Sequence, residues 1–131
     1  MRKLEKELCE AIRQGFNMRN APKDWSNTNT TLEFYEDEER GRVAKVSLHG
    51  NHIATVENKG LWIVTGSRWS WWFSRTTFSR LNALINSFGI DPTSQGVGMQ
   101  KHIPYLFTWG KERLEMSLNS RYWVHGVSLG K

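Results

Sequence analysis

The feature that most constrains the fold is an alternation of apolar and polar residues across positions 43–53, interrupted by a Gly-Asn pair at 50–51. Successive residues of a strand point to opposite faces of a sheet, and such dipeptides favour two-residue β-hairpins. The pattern therefore predicts an antiparallel hairpin in which Leu48 pairs with Ile53 on the core face. This hairpin indicates a sheet with one buried face.

Two segments carry apolar residues at helical spacing. A stripe centred on Leu8 predicts an N-terminal helix over residues 3–16. A second stripe predicts a helix over residues 76–88, with its N-cap at either threonine of the pair 76–77 and its end at Gly89. Both helices are amphipathic, so we expect both to pack on the sheet.

The remaining segments are typical of strands and turns. Residues 61–64 are apolar on both faces, which favours a strand in the interior of a sheet. Residues 90–100 predict a loop, and a Gly-Lys turn at 110–111 would pair Phe107 with Leu114. The chain is therefore predicted to be α+β: an antiparallel sheet of six or seven strands, with an N-terminal helix and a second helix after a Trp-rich strand.

Length and composition predict a single domain, residues 1–131, of a cytosolic protein. Two domains would leave each half of the 131 residues too short for its own core. No apolar run approaches the roughly 18 residues of a membrane span, and the charged N-terminus lacks the apolar centre of a signal peptide. Cys9 is the single cysteine and can form no internal disulfide, as is typical of a reducing compartment.

The net charge of +5 is unevenly placed. Residues 1–60 contain ten Lys or Arg and ten Asp or Glu, whereas residues 61–131 contain eight and three. A basic half attracts phosphate-rich or acidic partners, although an ordinary basic surface would give the same count.

Residues suited to catalysis or metal binding are few. His49 and His52 would face each other across the predicted hairpin, but a zinc site needs three or four ligands and only Glu57 lies near them in the sequence. Cys9 falls beside the apolar stripe of the first helix with no partner base, which favours a packing role. The sequence therefore predicts no enzyme, no cofactor and no metal site.

The most unusual segment is 66–75, which holds three of the seven tryptophans. If it is extended, Trp72 points to the face opposite that of its aromatic neighbours and lies close to arginines. Three interpretations remain open: Trp72 covers a satellite core under the N-terminal helix, contacts a protein partner, or stacks on nucleic-acid bases. For the last two, the predicted partner-binding residues are Arg68, Trp72, Arg75 and Arg80.

Two stretches resemble a family of small, mostly uncharacterised bacteriophage proteins. Residues 46–54 (VSLHGNHIA) match a hairpin of the form LHGNxIA, and residues 76–84 (TTFSRLNAL) match a helix of the form TTxxRLNA. The chain departs from this pattern at residues 69–74, where the family has Gly-Trp-x-Thr. The resemblance implies a phage or prophage setting and brings no catalytic residue with it.

Small proteins of that kind typically bind host or phage machinery in stoichiometric amounts, and three hypotheses follow. The first is a phage accessory protein of the host bacterial cytosol that binds a nucleic-acid-handling machine, for example as an anti-CRISPR-like inhibitor of host defence. The second is a direct nucleic-acid-binding protein for phage replication, and the third is a small enzyme. Since the chain is basic, it is a poor mimic of DNA.

Overall fold

The computed structural model describes residues 1–68, 72–91, 93–108 and 113–129. In chain order the elements are α1 (Lys3–Asn17), β1 (Trp25–Asn27), β2 (Thr30–Asp37), β3 (Gly41–Leu48), β4 (Asn51–Glu57), β5 (Gly60–Val64), α2 (Arg75–Phe88), β6 (Gly96–Gln100), β7 (Ile103–Phe107), β8 (Arg113–Glu115) and β9 (Arg121–His125). Neither α1 nor α2 is long and apolar enough to cross a membrane.

The strands form two antiparallel sheets. One has six strands in the order β1-β2-β3-β4-β5-β9, and the other has three strands in the order β6-β7-β8. Together with the two helices, this confirms the predicted α+β class. Strand β5 lies between β4 and β9, which confirms that residues 61–64 are an interior strand.

The six-stranded sheet has one apolar side, on which both helices pack. Leu32, Val46, Ala54 and Ile63 pair across neighbouring strands and are fully buried. The helix residues that join this core are Leu8, Cys9, Ile12, Leu81, Ala83, Leu84, Ile85 and Phe88. We call this side of the sheet the core face and the opposite side the outer face.

The β3–β4 hairpin turns one residue earlier than the Gly-Asn pair predicts. His49 and Gly50 occupy the turn with φ values of 51° and 79°, as type I′ turns require. Leu48 therefore pairs with Asn51, and the predicted pairing of Leu48 with Ile53 is wrong. Glycine suits the second turn position because that position has positive φ.

A β-bulge follows the shifted turn. Moving a two-residue turn by one residue changes the pairing by two residues and leaves each side chain on its face, so Val46 would pair with Ile53, and Ala54 and Val56 would point to the outer face. The register slips at this point, so that Ile53 is the extra residue and Val46 pairs with Ala54. Ala54 and Val56 therefore join Ile53 in the core.

Helix α2 begins one residue before its predicted start because Ser74, and not the threonine pair at 76–77, is its N-cap. Ser74 Oγ accepts a hydrogen bond from the Thr77 backbone N–H at 3.1 Å. Gly89 ends the helix as predicted, and its N–H donates to the Ile85 carbonyl at 2.8 Å. A Cβ at Gly89 would lie 2.6 Å from that carbonyl oxygen, which explains the glycine.

The predicted loop at 90–100 contains strand β6. Asn82 of α2 holds this strand by both backbone groups of Val97. Its Nδ2 donates to the Val97 carbonyl at 3.0 Å and its Oδ1 accepts from the Val97 N–H at 2.8 Å. The Asn82 side chain thus satisfies the backbone N–H and C=O of Val97 as a neighbouring strand would. The sequence of β6 is rich in glycine and has low strand propensity, so it did not predict a strand.

Strands β7 and β8 pair one residue away from the predicted register. Leu106, and not Phe107, lies opposite Leu114. The Gly-Lys turn predicted at 110–111 lies outside the described residues. These strands belong to a separate small sheet, whereas the sequence pattern predicted one sheet of six or seven strands.

Candidate binding face of the six-stranded sheet

The four residues predicted to bind a partner do not share one surface. Arg68 and Arg75 are exposed, whereas Trp72 is 0% and Arg80 is 4% exposed. Trp72 and Arg80 therefore lie in the interior, which corrects their placement on a common surface. A contact of Arg68 and Arg75 with a partner stays a prediction.

Arg80 is buried because it pairs with Glu5 of α1. Arg80 Nη1 donates to Glu5 Oε2 at 2.7 Å, and Arg80 Nε donates to Thr30 Oγ1 at 3.0 Å. Ser79 Oγ donates to the same Glu5 oxygen at 2.6 Å. Burial raises the pKa of Glu5, but the hydrogen bonds from Ser79 and Arg80 outweigh burial and hold the pKa below its ordinary value. Arg80 therefore joins α2 to α1 and β2 as a buried ion pair.

Trp72 does not belong to a strand. Its backbone N–H donates to the Arg68 carbonyl at 3.3 Å. The side chain is buried, so the strand alternation that directed Trp72 outward is wrong. The Trp72 ring lies 4.4 Å from Phe73 and 6.4 Å from Phe78 between centroids, within the main core. Residues 69–71 lie outside the described part of the chain.

The outer face brings aromatic and basic side chains together from separate strands. Pairing across the sheet aligns one row of side chains, which comprises Glu33, Lys45, Thr55, Trp62 and Trp123. The residues on either side of each row member along its strand belong to the core face, so alternation directs this row away from both helices. Trp62 and Trp123 are half-buried, and both present part of their rings to solvent.

Four neighbouring side chains form what we call the aromatic cluster: Trp62, Arg121, Trp123 and His125. The Trp62 and Trp123 ring centroids lie 5.1 Å apart at an interplanar angle of 56°. The Arg121 guanidinium carbon lies 4.9 Å from the Trp62 centroid, within cation–π range. Trp123 Nε1 donates to His125 Nδ1 at 3.2 Å, and Arg121 and His125 are exposed.

A glycine makes room for the aromatic cluster. Gly60 pairs with His125 at the start of β5, and the Trp123 ring lies across it. A Cβ at Gly60 would lie 2.6 Å from Trp123 Cζ2 and 2.3 Å from the Val124 carbonyl oxygen. The Trp123 ring can therefore lie close to the sheet only because position 60 has no side chain.

Two cations, Lys45 and Arg121, lie near His52 on the outer face. Burial lowers the pKa of His52, and the charges of Lys45 and Arg121 lower it further. The Ala54 carbonyl and Glu33 act in the opposite direction and are outweighed. Lys45 and Arg121 therefore both act electrostatically on His52, but burial is the main cause of its lowered pKa.

A shallow cavity of about 250 Å³ opens beside this histidine. Its lining combines basic and acidic side chains and comprises Tyr35, Glu36, Asp37, Arg40, Val43, Lys45, His52 and Thr55. The Glu57 carboxylate, farther along β4, is neutralised by Arg40 Nη1 at 2.8 Å. The cavity and the aromatic cluster thus lie on one continuous face.

The two hairpin histidines do not face each other. His49 lies exposed in the turn, whereas His52 pairs with Ser47 and its Nε2 lies 3.0 Å from the Ala54 carbonyl oxygen. In the described part of the chain, no three His, Cys, Asp or Glu side chains are arranged to hold a metal ion. Cys9 is buried in the core, as its packing role predicts, and burial raises the pKa of its thiol.

Sequence reasoning missed the aromatic cluster, although part of its signal was present. Arg121, Trp123 and His125 alternate with Tyr122 and Val124, so their common face can be read from β9 alone. Trp62 likewise lies between two core residues. No local pattern shows that β5 and β9 are neighbours, because α2 and the small sheet separate them in the sequence.

Comparisons with known proteins place the chain in a family. A family model described as Kyanoviridae Gp96 protein matches residues 1–129. No curated protein and no solved structure matches the chain. The family match supports the resemblance to small phage proteins, while the two short motifs behind that resemblance stay untested. Since the match covers nearly the whole chain, the protein belongs to the Kyanoviridae Gp96 family of phage proteins.

Proposed function

We propose that this phage protein is a non-catalytic accessory protein that binds a nucleic-acid-handling machine of the phage or its host. The observation that carries the proposal is the aromatic cluster, in which Arg121 and two tryptophans meet on the outer face. Tryptophan and arginine are the residue types that contribute most to binding at protein surfaces. The aromatic cluster is therefore assigned as the binding site.

Rigid support favours binding through this face. Trp62 and Trp123 project from paired strands, and their rings contact each other before any ligand arrives. Side chains held in place lose less conformational entropy on association than mobile ones. A preformed site of this kind suits a stoichiometric binder.

The position of one cation supports a nucleic-acid-related partner, because the exposed guanidinium of Arg121 lies at the aromatic cluster. A basic protein does not mimic DNA, so an inhibitor of host defence built on this chain would occupy a protein surface or compete for bound nucleic acid. We place this activity in the cytosol of the host bacterium.

Affinity capture from a host lysate tests the proposal. The full chain is immobilised and exposed to lysate with and without nuclease, beside Trp123→Ala and the control Tyr105→Ala. Tyr105 is also half-buried and lies 4.8 Å from an arginine guanidinium carbon, but on the small sheet. We expect the wild type and Tyr105→Ala to retain a nucleic-acid-handling complex that Trp123→Ala loses. Equal capture by all three proteins would contradict the assignment.

A further inference from the structure

We infer that the ligand of the outer face is single-stranded nucleic acid, whose bases stack on Trp62 and Trp123 while Arg121 and Lys45 contact its phosphates. This inference rests on the proposed function and names the ligand class of the same face. It differs from the proposed function in that the protein would contact nucleic acid itself, with no protein partner required.

The aromatic cluster offers stacking surfaces. Trp62 and Trp123 are each partly exposed and are tilted at 56° to each other, so we expect each ring to receive one base. The Arg121 guanidinium already lies on Trp62 at 4.9 Å, and bases stack on guanidinium planes as well as on aromatic rings. A base can therefore stack on Arg121 in place, or displace it toward a phosphate.

Two cations of the outer face can contact a phosphate backbone. Lys45 lies two strands from Trp62 in the same row, about 10 Å away at the usual strand spacing. Lys45 and Arg121 both lower the pKa of His52, so both act on the space between them. Three acidic side chains of this face already have partners: Arg40 pairs with both Asp37 and Glu57, and Glu33 accepts a hydrogen bond from the Tyr35 hydroxyl.

The geometry favours a single strand over a duplex. Duplex bases are stacked on one another and expose only their edges, whereas the bases of a single strand are free to stack on protein rings. The tryptophans lie on a sheet and not on a helix that would enter a major groove. Stacking is tolerant of sequence, so we expect little base preference.

Fluorescence anisotropy with a labelled oligothymidylate of roughly 12 nucleotides, within the usual site sizes, tests the inference. The comparison ligands are the same length of duplex DNA and inorganic polyphosphate, which carries charge without bases. We expect the full chain to bind the single strand at least about ten-fold more tightly than either. Equal affinity for polyphosphate would reduce the interaction to charge alone and overturn the inference.

Matched variants locate the site. Trp123→Ala and Arg121→Ala should each weaken oligothymidylate binding about ten-fold, and Arg121→Ala should also lower the salt slope by about 0.7. Tyr105→Ala and Arg113→Ala, which break the equivalent pair on the small sheet, should bind as the wild type does. Wild-type affinity in the first two variants would overturn the inference.

A readout on the wild-type protein covers the case in which a variant fails to fold. Phosphates near Lys45 and Arg121 should raise the pKa of His52, which NMR titration measures with and without oligothymidylate. An unchanged His52 pKa at saturation would count against phosphate contact on this face. If oligothymidylate does not bind while Trp123-dependent, nuclease-resistant capture of a protein complex persists, this inference fails and the proposed function stands.

Discussion

Two arginines of the basic half, Arg80 and Arg121, have opposite roles in the structure. Arg80 is buried and donates to a carboxylate and a hydroxyl of two other elements. Arg121 is exposed and its described contact is the face of Trp62. The same type of residue therefore stabilises the fold at position 80 and forms a candidate ligand contact at position 121.

The comparison shows that charge counts do not identify function. Both arginines add to the excess positive charge of residues 61–131, yet the charge of Arg80 is neutralised by Glu5, which belongs to the balanced half. What distinguishes the two arginines is the partner that the fold brings to each. Substitutions in the core and on the outer face should therefore differ in their effects on stability and on binding.

Arg80→Ala has the largest expected effect. It leaves the Glu5 carboxylate buried without its cation, so we expect the free energy of unfolding to fall by about 3–5 kcal/mol, measured by urea denaturation. The double variant Glu5→Leu with Arg80→Met removes both charges and should be much more stable than Arg80→Ala. If Arg80→Ala unfolds like the wild type, the buried pair does not contribute as described.

Trp72 and Trp62 offer a second comparison of a core residue with a residue of the outer face. Trp72→Ala should lower the free energy of unfolding by about 3–5 kcal/mol, because its ring is fully buried. Trp62→Ala should cost less, about 1–2 kcal/mol, since it loses the contacts of a partly exposed ring with Trp123 and Arg121. Thermal and urea denaturation measure both. Similar losses in the two variants would show that the outer face is part of the structural core.

Arg121→Ala should have a small effect on folding. An exposed cation–π contact contributes about 0.5–1 kcal/mol, and Arg113→Ala on the small sheet should cost a similar amount. The two variants therefore form a matched pair in stability, and only Arg121→Ala should lose ligand. A loss several times larger than this in Arg121→Ala would assign it a structural role like that of Arg80.

His52 should give the smallest effect, a change of stability with pH. Its pKa in the folded protein lies below the ordinary value of 6.5, chiefly through burial. As the pH falls, the unfolded chain therefore binds a proton at a higher pH than the folded protein does. The free energy of unfolding is highest above about pH 6.5 and declines as the pH falls toward the pKa of folded His52. Urea denaturation across this range, with His52→Gln as control, measures the decline. An identical pH profile in His52→Gln would exclude His52 as its source.

Sequence patterns predicted what depends on local periodicity. The stripe around Leu8 placed α1 in the core, and alternation in β3 identified the buried face. Patterns failed where a few residues act against them: the turn at His49 and Gly50 and the bulge at Ile53 both moved the hairpin register away from the predicted one. A strand of low propensity, β6, was missed because Asn82 supplies its hydrogen bonds.

The candidate site was harder to predict than the fold for a physical reason. Arg80 has the residue type of a binding surface, but its buried partners, Glu5 and Thr30, come from distant elements. The members of the aromatic cluster come from β5 and β9, which only the sheet topology brings together. Local patterns indicate which way a side chain points, and the site depends on which strands are neighbours.

The most direct test of the central claim is an NMR titration of the ¹⁵N-labelled full chain with oligothymidylate, followed through the indole N–H signals of its seven tryptophans. We expect the signals of Trp62 and Trp123 to move in a saturable way, together with the backbone amide of Arg121. The Trp72 signal and the amides near Arg68 and Arg75 should stay in place. Shifts confined to Arg68 and Arg75, with Trp62 and Trp123 unmoved, would contradict the outer face as the binding site.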